Sequence, residues 1–201
     1  KYVSHGCIPW TTGYGEYKWE EIRKILGNPS LMHQFKDGRL TVEVRRTLDE
    51  RVVEYPWIIS QLSAKGGKIL DAGSTFNYKQ IVENELIRRK ELTIYTYSPE
   101  SVNFNHERVS YCYGDLRELP FKNNWFDEIV CQSTLEHIGM NNAIYGHHSE
   151  NANSIDKNFD FMKAIYEMER TLKGSGLLLI TVPFGKFEHH GFFQQDRKST
   201  R

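Results

Sequence analysis

Hydrophobic and polar positions change their spacing near residue 65. Before it, apolar residues recur at helical intervals. Trp19, Ile22, Ile25 and Leu26 line one face, and Gly27-Asn28-Pro29 supplies a stop. Leu48, Val52, Ile59 and Leu62 mark a second helical stretch from Thr47 to Ser63, in which Pro56 predicts a kink or a restart. From Lys68 onward, short apolar runs alternate with helical stripes. Lys68 to Asp71, Leu92 to Tyr97, Val109 to Tyr113, Phe126 to Cys131 and Gly176 to Val182 read as five strands. Tyr78, Ile81, Val82 and Leu86 form a helix face between the first two. Phe161, Ile165, Met168 and Leu172 form another, stopped by Gly174. Strands that are apolar on both faces and alternate with helices predict an α/β fold with a parallel sheet covered on both sides. Such sheets take ligands at the carboxyl ends of their strands, so the polar residues there are the candidates for chemistry.

Composition narrows the classes of function. A chain of 201 residues is about one domain with an appendage, on a prior of ~100–200 residues per domain. The division expected is a helical N-terminal extension over 1–64 and an α/β domain over 65–201. Its aromatics, among them Trp10, Tyr14, Tyr17 and Trp19, suit either a substrate lid or the packing of the extra helices. Lys+Arg and Asp+Glu both total 26, which gives no bulk field for a polyanion and disfavours nucleic acid as the partner. No apolar run approaches the ~18 residues needed to cross a bilayer. Cys7, Cys112 and Cys131 make no metal or redox motif, and the last two sit in apolar runs. Buried free thiols in a reducing compartment, and so a cytoplasmic location, are the expectation.

The strand ends carry an ordered set of short motifs. They are Ile69-Leu70-Asp71-Ala72-Gly73-Ser74, Tyr97-Ser98-Pro99-Glu100 and Gly114-Asp115-Leu116-Arg117-Glu118-Leu119-Pro120-Phe121. Trp125-Phe126-Asp127-Glu128-Ile129-Val130, Ser133-Thr134-Leu135-Glu136-His137-Ile138 and Leu172-Lys173-Gly174-Ser175-Gly176 follow. Each is degenerate alone. In this order, over roughly Gly66 to Gly185, they resemble the class I S-adenosylmethionine-dependent methyltransferases, most closely the small-molecule type 11 branch.

The resemblance implies a Rossmann-like doubly wound sheet and S-adenosyl-L-methionine as cofactor. It also implies transfer of a methyl group to a small-molecule acceptor such as a sugar, a lipid or another metabolite. By position, Asp71, Ala72, Gly73 and Ser74 would carry the methionine part of the cofactor. Thr96 and Tyr97 fall where the ribose is held, and Asp115 and Leu116 where the adenine sits. Gln132, Ser133 and Thr134 would lie beside the cofactor. His137 has a suitable intrinsic pKa for a general base, and it equally suits a structural role in its turn.

The sequence departs from the family twice. The glycine-rich loop reads acid-x-Gly-x-Gly-x-Gly in the family. Here only Gly73 remains, with Thr75 and Asn77 at the other two positions. The ribose acid falls on Thr96, whose hydroxyl offers one neutral hydrogen bond in place of a carboxylate. That exchange predicts a loss of about 1.5–3 kcal/mol in binding, with Glu100 the first candidate to replace it. These departures also motivate a second reading, a methyltransferase-like scaffold or partner module that has lost its cofactor. A nicotinamide-binding domain fits worse, because no Gly-x-Gly-x-x-Gly turn is present. His147-His148 and His189-His190 lack metal-ligand spacing and read as loop residues, so no metal is expected. Family members carry two more strands after the fifth. The chain starts without Met and ends soon after Val182, so acceptor residues are expected outside it. Gly176 to Val182 should then be covered by a further segment or another chain, which keeps a dimer among the outcomes.

Overall fold

In the computed structural model, which describes residues 1–39, 47–104, 107–143, 159–186 and 188–195, the chain forms two units, Lys1–Ala64 and Lys65–Arg201. The first is helical, with α1 (Tyr14–Leu26), α2 (Pro29–Asp37) and α3 (Arg51–Gln61). Gly27 ends α1 and Asn28 starts α2. Its side chain accepts the Leu31 N–H, and Pro29 occupies the first helical turn, where no donor is missed. The triplet read from sequence as a stop is therefore also a start, and α2 is a helix the spacing did not reveal. Nor does α3 restart at Pro56. One helix runs through it, and Val52, Tyr55, Pro56, Ile58 and Ile59 are all buried. Several apolar contacts outweigh the one N–H that proline lacks. The aromatics of this unit pack on one another. Tyr2 lies 5.5 Å edge-on to Tyr14, and Trp19 lies 5.2 Å from Tyr55. The Tyr2 hydroxyl donates to the Thr47 carbonyl at 2.7 Å.

The second unit holds a five-stranded sheet, in the order β3-β2-β1-β4-β5. The strands are β1 (Lys68–Ala72), β2 (Glu91–Thr96), β3 (Val109–Tyr113), β4 (Phe126–Gln132) and β5 (Leu172–Thr181). Every pairing is parallel. The helical stripe after β1 is two short helices, α4 (Lys79–Val82) and α5 (Glu85–Arg88). Asn84 breaks it and accepts the Leu86 N–H. The helix α6 (Phe161–Thr171) stops three residues before Gly174. Leu172 already pairs with Phe126, and a register shift follows before Leu177 meets Glu128. Gly174, expected to end the helix, sits instead inside that irregular start of β5. On one sheet face Leu70, Ala72, Ile129 and Cys131 pack with Ala164 and Met168 of α6. Asp71 alternates to the other face, and burial raises the pKa of the Cys131 thiol, as expected of an inert core cysteine.

The strand β5 is one of the two edge strands, with β3 at the other side of the sheet. Leu179 is buried, and Leu178 and Ile180 pack against the core. Leu178, Leu179 and Ile180 thus have neighbours on the sheet faces, Val182 just beyond is 53% exposed, and among the described residues β4 is the strand β5 pairs with. The short antiparallel pair β6 (Glu188–His189) and β7 (Gln194–Gln195) forms a separate sheet.

Candidate functional site

The strand order reverses between β1 and β4. The crevice of an open parallel sheet lies outside the carboxyl ends of the strands at such a reversal. Here the two loops flanking it meet. A Cβ on Gly73 would stand 2.1 Å from Thr134 Oγ1 and 2.8 Å from Thr134 Cβ. The Gly73 φ is +126°, so glycine is required both by space and by backbone. Its neighbour Ser74 and, across the crevice, Ser133 are non-glycine residues with positive φ, at 60° and 43°. Backbone strain of this kind gathers at functional sites. The Ser133 N–H is held by the Thr181 carbonyl at 2.9 Å, and Thr134 Oγ1 donates to the Gln132 carbonyl at 2.9 Å.

Asp71 is fully buried, and its carboxylate turns back into its own loop. One oxygen accepts from Thr75 N–H and Thr75 Oγ1 at 3.2 and 3.0 Å, and the other from Phe76 N–H at 2.7 Å. Burial pushes its pKa up to about 7, against the pull of those hydrogen bonds. Asp71 thus holds the shape of the loop. Ala72 and Leu116 lie in the core, so any ligand would meet them through backbone alone.

Tyr95 ties three strand ends together. Its carbonyl accepts the Gly73 N–H at 2.9 Å, and its hydroxyl donates to the Asp115 carbonyl at 3.1 Å. A Cβ on Gly114 would stand 2.3 Å from that hydroxyl, so the third-strand glycine makes room for it. Gly73 and Asp115 therefore share one edge of the sheet, bridged by a single side chain. The Asp115 carboxylate is gripped by Arg117, which reaches on to Asp160 at 2.6 Å. Thr96 ends β2 half-buried, its carbonyl accepting the Gly114 N–H at 3.0 Å, and Tyr97 beyond it is 40% exposed.

The altered glycine loop has a structural counterpart that the sequence did not announce. Asn77, at the third glycine position, is 5% exposed. Its Nδ2 donates to Glu100 Oε2 at 2.7 Å and to the Val102 carbonyl at 3.0 Å, while its Oδ1 accepts from Tyr111 Oη at 2.9 Å. Tyr111 in turn accepts the Phe104 N–H at 2.8 Å. Ser74 Oγ donates to the other Glu100 oxygen. Tyr95 and Tyr111 are the organising residues that motif reading passed over, and Asn77, read there only as a departure from the glycine loop, is their counterpart. Tyr95 and Tyr111 sat inside apparent strand runs, and nothing local marked them.

His137 sits in a short turn, Leu135–His137, after β4. Its Nδ1 lies 2.7 Å from the Phe192 carbonyl, and its ring stacks on Phe192 at 5.9 Å. A carbonyl only accepts, so Nδ1 carries a proton, and in the neutral form of the ring the basic nitrogen is Nε2. His190 stacks on Phe193 at 4.4 Å, and His189 Nδ1 accepts the Gly191 N–H. His147 and His148 lie outside the described residues. Among the described residues no three His, Cys, Asp or Glu side chains are grouped to hold a metal ion, and no helix is long and apolar enough to cross a membrane.

The donor set at this edge fits the cofactor that the motif order implies. The Glu100 carboxylate suits hydroxyl donors, and Gly73 and Ser74 bring backbone to the crevice. No curated protein matches the chain. Three solved structures to which it is similar have TM-scores below 0.5. A protein assigned as a sarcosine dimethylglycine methyltransferase from Galdieria sulphuraria is 21% identical (TM-score 0.48, over 68% of this chain and 48% of that one). A Haloferax volcanii protein assigned as a methyltransferase, in complex with the Trm112 methyltransferase activator, is 17% identical (TM-score 0.45, 62% and 48%). The Haemonchus contortus phosphoethanolamine N-methyltransferase 2, with phosphomonomethylethanolamine and S-adenosylhomocysteine, is 20% identical (TM-score 0.42, 61% and 25%). The chain spans about half the length of the first two. The family described as a methyltransferase domain matches residues 71–180, more than half of the chain and the whole stretch from β1 into β5. The chain belongs to this methyltransferase domain family, that of the class I S-adenosylmethionine-dependent enzymes its motif order resembles.

Proposed function

We propose that the chain is the cofactor-binding part of an S-adenosylmethionine-dependent methyltransferase acting on a small-molecule acceptor. The observation that carries the reading is the meeting of separate strand-end segments at the sheet reversal. Gly73 to Asn77, Glu100, Asp115 and Ser133-Thr134 are joined there through Tyr95, Asn77 and the Gly73–Thr134 contact. When bound, S-adenosylmethionine supplies a methyl group on a sulfonium that is already a good leaving group. The protein then contributes alignment, worth several kcal/mol of the barrier. Asp71 fixes the loop that would receive the methionine part. Glu100 offers acceptors for hydroxyl groups, and the backbone beside Asp115, whose carboxylate Arg117 holds, lines the same edge. His137, with Nδ1–H committed to the Phe192 carbonyl, would take the proton of a hydroxyl or ammonium acceptor at Nε2.

The N-terminal unit, 1–64, serves in this reading as an accessory to the domain at 65–201. The neutral charge balance supports a small acceptor over a nucleic acid, and a cytoplasmic setting suits the unpaired state of Cys7, Cys112 and Cys131. Calorimetry with S-adenosylmethionine and with NAD tests the proposal. Saturable binding of the first alone is the expected result. Binding of neither would overturn it in favour of a scaffold that has lost its cofactor.

A further inference from the structure

We propose that Glu100, four residues beyond the end of β2, supplies the carboxylate that receives the ribose hydroxyls of the cofactor in place of the strand-end residue Thr96. The inference rests on the reading of this edge as an S-adenosylmethionine site. It assigns a binding residue where the sequence shows only a loss.

A vicinal diol is held best by an acceptor with two oxygens in fixed positions. Thr96 has a single hydroxyl and no charge. Glu100 has both oxygens placed, one by Ser74 Oγ and the other by Asn77 Nδ2 at 2.7 Å. Both donors come from the loop after β1, so the carboxylate is drawn toward the crevice side of its own loop. An ionised carboxylate has about four acceptor directions. Two are used here, which leaves one on each oxygen for a ligand.

The placement is rigid because Asn77 is itself fixed from three sides. Tyr111 on β3 donates to its Oδ1, and its Nδ2 also reaches the Val102 carbonyl. The asparagine that replaces a family glycine and the glutamate that follows the missing acid are thus parts of one arrangement. Glu100 is exposed, so its remaining acceptor directions are open to a ligand, and hydrogen bonds from hydroxyls to a carboxylate are among the stronger ones.

The test is calorimetric titration of the whole chain with S-adenosylhomocysteine and with its 2′-deoxy analogue. Wild type, Glu100→Gln and Thr96→Ala are compared. Glu100→Gln is expected to weaken S-adenosylhomocysteine about tenfold to hundredfold and to remove most of the difference between the two ligands. Thr96→Ala is expected to change both ligands little. An unchanged affinity in Glu100→Gln, or an equal loss for both ligands, would overturn the assignment and leave Glu100 a brace. A loss in Thr96→Ala as large as that in Glu100→Gln would overturn it too. If Glu100→Gln does not fold, Glu100→Asp replaces it. That variant keeps the charge but withdraws it by one methylene, and is expected to weaken the 2′-hydroxyl ligand selectively; an equal loss for both would refute the assignment. Failure of the wild type to bind S-adenosylhomocysteine would instead overturn the cofactor reading itself.

Discussion

The two ends of the same sheet are finished in opposite ways. At the amino edge, charges are paired off. Lys90 and Glu128 form a buried pair at 2.5 Å, Lys68 reaches Glu91, and Asp127 accepts from Lys173 at 2.7 Å and from the Lys68 N–H at 2.9 Å. Two of the carboxyls there, Asp127 and Glu91, are held below their ordinary range. For Asp127 the first cause is the bond from Lys173, and for Glu91 the bond from Lys68. At the carboxyl edge, Asp71 is pushed the other way, to about 7, chiefly by burial, with Glu100 adding a like charge. Gly73, Ser74 and Ser133 take positive φ there, and at the amino edge Gly67 and Asn124 do so too. One edge is settled by internal partners. The other pairs Asp115 with Arg117 but keeps Asp71 buried and two serines at positive φ, features that cost stability and gather at functional sites.

The largest effect that would break this contrast lies at the amino edge. Lys90→Met removes the cation beside a carboxylate whose side chain is only 5% exposed. It should cost about 3–5 kcal/mol in urea unfolding, and Lys90→Met with Glu128→Leu should recover most of it. Where the variant stays folded, its affinity for S-adenosylhomocysteine should match the wild type. A change in that affinity would mean that the two edges are not independent.

Gly73→Ala comes next. The new Cβ meets the Thr134 side chain near its root rather than at a flexible end, and the φ of +126° disfavours it as well. A loss of about 2–3 kcal/mol in stability is expected, together with loss of cofactor binding. A variant with native stability and affinity would show that the two loops are not held together as described.

Asp71→Asn is smaller, about 1–3 kcal/mol, because an amide cannot accept at both ends of the loop. Its clearest sign is in pH dependence. The folded pKa is raised from 3.8 to about 7, so between those values the folded state keeps a proton that the unfolded state has released. Stability from this group is full below about pH 4 and falls as pH rises toward 7. Urea midpoints measured across that window should slope less in the variant than in the wild type. Asp127→Asn should show the reverse sign. Its folded pKa is lowered, so its contribution is lost as pH falls below the ordinary carboxylate range. With the side chain 39% exposed, the effect should stay under about 1 kcal/mol.

Much of the fold was legible because buried parallel strands leave continuous apolar runs. Leu70, Ile94, Ile129 and Leu179 are buried within β1, β2, β4 and β5. What escaped were choices made by single residues with two meanings. Gly27-Asn28-Pro29 both stops one helix and starts the next, and Asn84 breaks a stripe that looked continuous. Pro56 is carried inside α3 by burial that a local rule cannot weigh.

At the site, the positions were legible and the directions were not. Asp71 was found at the right strand end, but whether its carboxylate faces a ligand or its own loop depends on Thr75 and Phe76 folding back over it. Asn77 looked like a defect in a glycine loop. Its partner Tyr111 lies 34 residues away, and only the folded sheet brings them together.

The central claim is that the carboxyl edge, and not the amino edge, receives S-adenosylmethionine. Titrating S-adenosylhomocysteine into isotope-labelled protein and following the backbone amides tests it most directly. The account predicts saturable shifts at Gly73 to Asn77, Glu100, Asp115-Leu116 and Ser133-Thr134, with Lys68, Lys90, Asp127 and Lys173 unmoved. Absence of saturable shifts, or shifts centred on Lys90 and Asp127, would contradict it.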